Sequence, residues 1–432
     1  MQKITCLVLA SWLLVACGGE RKPNNPNKIE SFPPRFTKAE TTEGAKNLAK
    51  QNNQFAVNFY TSLKNESAQQ GKNMFFSPFS LHTVLGMLYE GTSNVGKTEL
   101  AQVLGVQGLP AVGKDFYNMQ GSVLKYLSPN AEIALSNAVW ISDKAKVLPA
   151  YQNAIKESFE TEIFKGKLDS PEAIKQINDW VSKNTRGRIP SIIEKDNKPS
   201  ALTRLILLNA LYFKSIWEEG YEFEKEGTKE EDFTLLSTSK IKVQMMNQYS
   251  GMFKYYETPA MQIIGIPYKN RATYLYIILP KETTNLPALE QTFTPANLAL
   301  WLSQMKDEDA ERVAIPKILM QTRFFANETL KSMGAKAIFD TIKPIHLLGI
   351  DNGTDSLFVK NVIHKTFLEI NEKGSEAAAV TEVELEKKSD EAPPPPPKKF
   401  TFVANRPYMF FIAEDNLQTI LFMGRVMNPL EK

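Results

Sequence analysis

Apolar residues begin to recur at helical spacing near Leu48, where Leu48, Phe55, Val57, Phe59, Tyr60 and Leu63 mark out a buried surface. The same three- and four-residue period predicts helices over 81–104, 150–164 and 174–183. Later the period shortens. Compact apolar runs at 205–213, 274–279 and 408–413 read as strands, and 418–423 follows the last across a turn at Asp415-Asn416. Helices fall mainly early and strands mainly late, which argues an α+β fold and not a doubly wound sheet. No Gly/Ser/Pro-rich linker breaks the pattern up to Leu430, so residues 47–432 are expected to form one large domain.

The sharpest pattern lies at 372–388. Split by strand period, Ser375, Ala377, Ala379, Thr381, Val383 and Leu385 share one face, all small or apolar. Glu376, Ala378, Val380, Glu382, Glu384 and Glu386 share the other. A one-residue slip would turn the glutamates toward a core, at on the order of several kcal/mol. In the favoured register Val383 and Leu385 each gain roughly 1.5–3 kcal/mol by burial. Gly374, just before, can adopt backbone angles closed to other residues. The neighbouring stretch 384–399 is no core element: it is highly charged and carries five prolines at 393–397, an extended run of about 15 Å. The residues alone leave two readings open, a permanent amphipathic strand or an exposed loop, about 372–400, able to become one.

The N-terminus is different in kind. A basic start, an apolar run at 4–16 and the small residues of Cys17-Gly18-Gly19 describe a secretory signal too short to span a membrane as a mature helix. Leu14-Val15-Ala16-Cys17 resembles the lipobox of bacterial lipoproteins, which implies removal of 1–16 and acylation of Cys17. The alternative is a plain signal peptide containing a cysteine. The polar, Pro/Asn-rich residues after it read as a tether, so 17–46 is expected to join an acylated cysteine to the domain. The expected address is extracytoplasmic, anchored to the outer membrane or cell surface.

Composition narrows the chemistry. With 51 basic and 48 acidic residues the net charge is +3, which recommends neither nucleic acid nor an anionic membrane surface. The only cysteines, Cys6 and Cys17, precede the domain, so the domain holds no internal disulfide. Three histidines and the absence of HExxH and GxSxG disfavour a zinc site and a conventional enzyme; no cofactor or metal is expected. The string from Gly91 to Thr98 fits GxxxxGK[ST]. However, Leu81, Val84, Leu85 and Leu88 place it after a helix, whereas a phosphate-binding loop follows a strand.

Several motifs occur in a recognisable order along nearly the whole mature chain. They include Asn73 to Ser80 (NMFFSPFS), Asn178 with Thr185-Arg186-Gly187-Arg188, and Asn209-Ala210-Leu211-Tyr212-Phe213-Lys214 with Trp217. After His364-Lys365 come Glu372-Lys373-Gly374-Ser375-Glu376-Ala377-Ala378-Ala379-Val380-Thr381, Asn405-Arg406-Pro407-Tyr408 and Phe422-Met423-Gly424-Arg425. The set resembles the serpin family, and within it the bacterial lipoprotein serpins of the miropin type. That resemblance implies a large sheet, two smaller sheets, eight or nine helices and an exposed reactive loop. It implies inhibition of serine proteases by suicide-substrate trapping, with no catalytic residues, in a monomer. The reactive bond would be Lys388-Ser389, fourteen residues beyond Gly374, and a lysine there suits trypsin-like targets. Ser77, Ser80, Asn209 and His364 would form the shutter beneath the large sheet. Trp217, Lys317 and Glu372 would form the breach where the loop enters. The segment from Ser389 to Asn405 and the loop at 91–96 are longer than the family's usual ones. Two other functions are compatible with the residues, a non-inhibitory serpin or a surface-binding or adhesion protein using its proline run.

Replacing Cys17 with Ala is expected to release the protein into the soluble fraction without changing its inhibitory capacity. Mass analysis of the wild-type N-terminus checks this, and finding no acyl group on the mature protein would remove the lipobox reading.

Overall fold

Five of the described helices begin where a short polar side chain accepts from a free N–H of the first turn. The computed structural model describes residues 32–431 apart from 283, 345 and 376–398. Ten helices lie among them: α1 (Glu43–Lys64), α2 (Pro78–Tyr89), α3 (Asn94–Leu104), α4 (Val112–Leu127), α5 (Pro149–Phe159), α6 (Pro171–Asn184), α7 (Leu286–Gln291), α8 (Pro295–Ser303), α9 (Asn327–Met333) and α10 (Leu348–Asp351). Against the eight or nine expected, the extra one is the single four-residue turn α10. Thr42, Ser77, Ser170 and Thr294 cap α1, α2, α6 and α8, and the last three are followed by a proline, whose missing N–H costs nothing in a first turn.

The strands, in chain order, are β1 (Met74–Phe76), β2 (Glu132–Ser142), β3 (Glu162–Gly166), β4 (Leu205–Ile216), β5 (Lys229–Thr234), β6 (Lys240–Gln248), β7 (Met252–Glu257) and β8 (Met261–Pro267). They continue as β9 (Thr273–Pro280), β10 (Lys306–Pro316), β11 (Ile318–Phe325), β12 (Ile363–Asn371), β13 (Gly374–Ser375), β14 (Phe400–Val403), β15 (Tyr408–Glu414) and β16 (Ile420–Val426). One sheet has the order β11-β12-β13-β4-β2-β3. The other runs β1-β16-β15-β9-β8-β7-β10-β6-β5, with β14 beside β10. The expected two smaller sheets are therefore joined: β10 pairs β7 over 306–309 and β6 over 313–316, serving one lobe with each half.

β2 is buried at all eleven positions, because the helix layer covers one face of its sheet and α6 crosses the other. Beneath α6, Ile177, Trp180 and Val181 pack with Ala138, Trp140, Leu208 and Ala210 in a cluster separate from the main core. β12 alternates strictly, with His364, Thr366, Leu368 and Ile370 buried.

Three boundaries differ from the pattern. The helix expected over 150–164 stops at Phe159, Glu160 takes left-handed angles, and Glu162–Gly166 is β3; Ile163 and Phe164 satisfy either period. The helix expected over 81–104 breaks after Tyr89, where the Ser93 N–H donates to the His346 carbonyl at 2.8 Å. The phosphate-loop string thus lies between two helices, with Gly96-Lys97-Thr98 inside α3. The tether expected over 17–46 is, from Phe32 onward, laid against the body: Phe36 is 2% exposed, Ala39 is buried, and α1 begins at Glu43.

Candidate functional site: the hinge between two strands

β12 ends in a turn over Asn371, Glu372 and Lys373, and the chain then re-enters the sheet as β13. The two residues of β13 pair antiparallel with both neighbours: Ser375 faces Ile370 and Ser215, and Gly374 faces Asn371 and Ile216. β4 and β12 are therefore parallel to each other, and among the described residues only β13 joins them in the ladder. Gly374 has φ +137°, and a Cβ there would sit 2.3 Å from the Ser215 carbonyl oxygen. No side chain fits that angle and that gap. Ser375 is 1% exposed, and its hydroxyl lies 2.6 Å from that of Tyr268.

The turn is held by three consecutive carbonyls. The Trp217 indole N–H donates to Asn371, the Phe223 backbone N–H to Glu372, and the Trp217 backbone N–H to Lys373, at 3.0, 3.1 and 3.0 Å. Trp217 is 1% exposed and stacks on Tyr268 with ring centres 4.5 Å apart. Lys317 Nζ and Thr228 Oγ1 each lie 3.0 Å from the Glu372 carboxylate. Burial pushes the Glu372 carboxyl up, but its backbone hydrogen bond and those from Lys317 and Thr228, with the Lys317 charge, outweigh it and hold it below the usual range.

Deeper in the same sheet lies a polar chain. The Ser77 N–H donates to His364 Nε2 at 2.9 Å, and the Ser77 hydroxyl donates to the Leu421 carbonyl at 2.7 Å while accepting from the Ser80 N–H at 3.0 Å. The Ser80 hydroxyl donates to Asn209, whose amide donates to Asn137 Oδ1 at 2.8 Å. Asn137 in turn donates to the Phe159 carbonyl at 2.7 Å. Since His364 Nε2 accepts, its proton sits on Nδ1. Burial alone pushes this imidazole down to about 3.

The structure thus brings Ser77, Ser80, Asn209 and His364 together beneath the sheet, and Trp217, Lys317 and Glu372 together beside Gly374 and Ser375. Ala377, Ala379, Thr381, Val383, Leu385, Lys388, Ser389 and Cys17 lie outside the described residues. Tyr268, Thr228 and Asn137 belong to these two groups without having been singled out; each is one polar residue in an apolar or loop segment, with no spacing to announce it. A narrow cleft opens below Ser375, between Leu211, Tyr212 and Phe213 of β4 and Thr366, Phe367 and Leu368 of β12. No group of three metal-ligating side chains occurs among the described residues.

A family model described as Serpin (serine protease inhibitor) matches residues 50–429. The chain is a serpin. Mouse antithrombin-III is 32% identical over 393 residues, covering 88% of this chain and 82% of that one. A serpin-like protein of Thermococcus kodakarensis is 34% identical over 383 residues, 87% and 85% of the two chains. A maspin crystal structure matches with a TM-score of 0.77 over 90% of this serpin and all of maspin; at 24% identity it speaks for the fold alone. Serpins are in general inhibitors of serine proteases and not enzymes, although some members do not inhibit.

The neutral His364 has a consequence for stability. In the unfolded chain a histidine binds a proton near pH 6.5, whereas the folded site refuses it until about 3. Below pH 6.5 the unfolded state therefore binds more protons, and stability falls by up to about 1.4 kcal/mol per pH unit until about pH 3. His82, pushed down to about 4 by burial, adds to the same loss. Thermal unfolding of wild type and His364→Gln across pH 6.5 to 4 is expected to show a distinctly shallower decline in the variant.

Proposed function

We propose that this serpin inhibits trypsin-like serine proteases by inserting the segment after Ser375 into the gap between β4 and β12. One observation carries the reading: β13 already lies between those strands, with Ser375 on the buried face. Continued in the same register, insertion would set Ala377, Ala379, Thr381, Val383 and Leu385 on that face and the glutamates outside. Thr381 would arrive between Asn209 and His364, the polar pair beneath the sheet. Leu385 would reach Leu205, where β4 begins.

The reaction begins as ordinary proteolysis. The target's serine oxygen attacks the Lys388 carbonyl carbon; an ester forms, the bond to Ser389 breaks, and the new amine takes a proton. Water would normally hydrolyse the ester. Insertion competes by carrying Lys388, with the bound protease, along the sheet to about 40 Å beyond Ser375, at roughly 3.3 Å per residue. Pulling the ester out of the oxyanion hole removes the stabilisation that deacylation needs. The inserted strand gains antiparallel ladders on both sides. Lys388 matches a target pocket with an aspartate at its base, and acylated Cys17 would keep the inhibitor, as a monomer, at the outer membrane or cell surface.

The purified mature protein is expected to form an SDS-stable adduct with trypsin through Lys388, releasing the peptide that begins at Ser389. Lys388→Ala should slow inhibition by orders of magnitude, whereas cleavage elsewhere without adduct would remove the assignment. Ala379→Arg places a cation on the inserting face and should turn the protein into a substrate; Ala378→Arg, on the outer face, should retain inhibition. Moles of inhibitor consumed per mole of trypsin inactivated distinguish the two. Equal values for both variants would sink the register.

A further inference from the structure

Residues 32–42 have no helix or strand of their own, yet they are fastened along their length. The Arg35 guanidinium donates to the Glu160 carbonyl at 2.9 Å and pairs with the Glu160 and Glu162 carboxylates at 3.6 and 3.5 Å. The Phe36 N–H donates to Glu160 Oε1 at 2.6 Å. Phe36 itself is buried with φ +53°, a left-handed angle that a bulky residue keeps only where packing enforces it. It rests on α4 at Gly121, where a Cβ would lie 2.7 Å from its own Cβ and 2.1 Å from that of Ala39. Glu40 and Thr41 bond to Asn118 and Ser122 of the same helix.

The other end of this segment reaches the sheet. The Phe32 ring lies 5.7 Å from Tyr212 on the outer face of β4, and the Arg186 guanidinium sits 4.4 Å over the Phe32 ring. Arg186 is where the chain leaves α6. Pro33-Pro34 stiffen the span between the two anchorages, so little entropy is lost in making it. Tyr212 borders the cleft below Ser375, as do Thr185 and Arg188 on either side of Arg186.

We infer that residues 32–42 act as a strap that brakes strand insertion, clamping β4 and the exit of α6 to the helix layer. The inference rests on the insertion mechanism proposed above. An extra strand needs about 4.8 Å of width, so β4 and α6 must move away from β12 together. Phe32 rides on those two elements, while Phe36 and Ala39 are seated on α4. The strap therefore resists the movement until cleavage of the Lys388-Ser389 bond frees the end of the loop and makes insertion strongly favourable. Its loss would let the uncut loop enter by itself and waste the inhibitor.

The test uses the uncleaved mature protein as wild type, Phe32→Ala, Arg186→Gln and Phe32→Tyr. Two quantities are read: amide hydrogen exchange in β4 and α6, and the rate at which trypsin-inhibiting capacity is lost on incubation without protease. Phe32→Ala and Arg186→Gln are expected to exchange faster in both elements and to lose capacity up to about tenfold faster, with Phe32→Tyr close to wild type. If wild type inhibits and Phe32→Ala matches it in both measurements, the strap is overturned. If no variant forms an adduct with trypsin, the inhibitory reading fails; faster exchange in Phe32→Ala would then still support the clamp, and unchanged exchange would overturn it too.

Discussion

Among the described residues, β4 and β12 run parallel and are joined only by the two-residue β13, an incomplete ladder around which the rest of the molecule is arranged. Backbone N–H and C=O groups lining a buried edge cost on the order of 1–3 kcal/mol each when left without partners. A segment that enters antiparallel to both β4 and β12 supplies partners on its two sides at once. Eleven residues, 375 to 385, match the length of β4 from Ser215 back to Leu205. On the insertion mechanism proposed above, the energy gained would therefore be a property of the sheet, with the loop contributing only its compatibility.

The period-two pattern itself is plain in the sequence, with small residues at 375, 377, 379 and 381 on one face and Glu376, Ala378, Val380 and Glu382 on the other; whether it is a permanent strand or a loop able to become one, the residues alone leave open. The α+β class and the main strands were equally legible, from long apolar runs. β3 was not, since Ile163 and Phe164 are too few to separate strand from helix. The strap was read as part of a tether because Phe32, Phe36 and Ala39 follow no period; their burial comes from distant partners on α4 and β4. Shutter and breach residues such as Ser77 and Lys317 stood out through family resemblance alone. A lone serine beside a helix or a lone lysine between strands carries no mark of the partner that the fold brings to it.

The outer face of the sheet is built more lightly than the inner one. α6 is held by a small cluster around Trp140 and Trp180, separate from the main core, and the indole N–H groups of both find no hydrogen-bond partner among the described residues. A buried donor left unpaired weakens the contact it sits in. α6 is thus seated over β2 and β4 with two unpaired buried donors beneath it, and an additional clamp over its exit would have something to restrain.

The hinge turn is gripped at the carbonyls of Asn371, Glu372 and Lys373, all by donors from Trp217 and Phe223. Those three peptides cannot translate without breaking every grip, so they behave as a fixed pulley. The chain reverses over them and re-enters the sheet at Gly374. Whatever force draws on the loop is taken up by the Trp217–Tyr268 stack and the frame behind it, leaving β12 where it stands. A molecule that moved its cargo across its own length in this way would need one stationary bearing, and Trp217, with two of the three donors, would supply most of it.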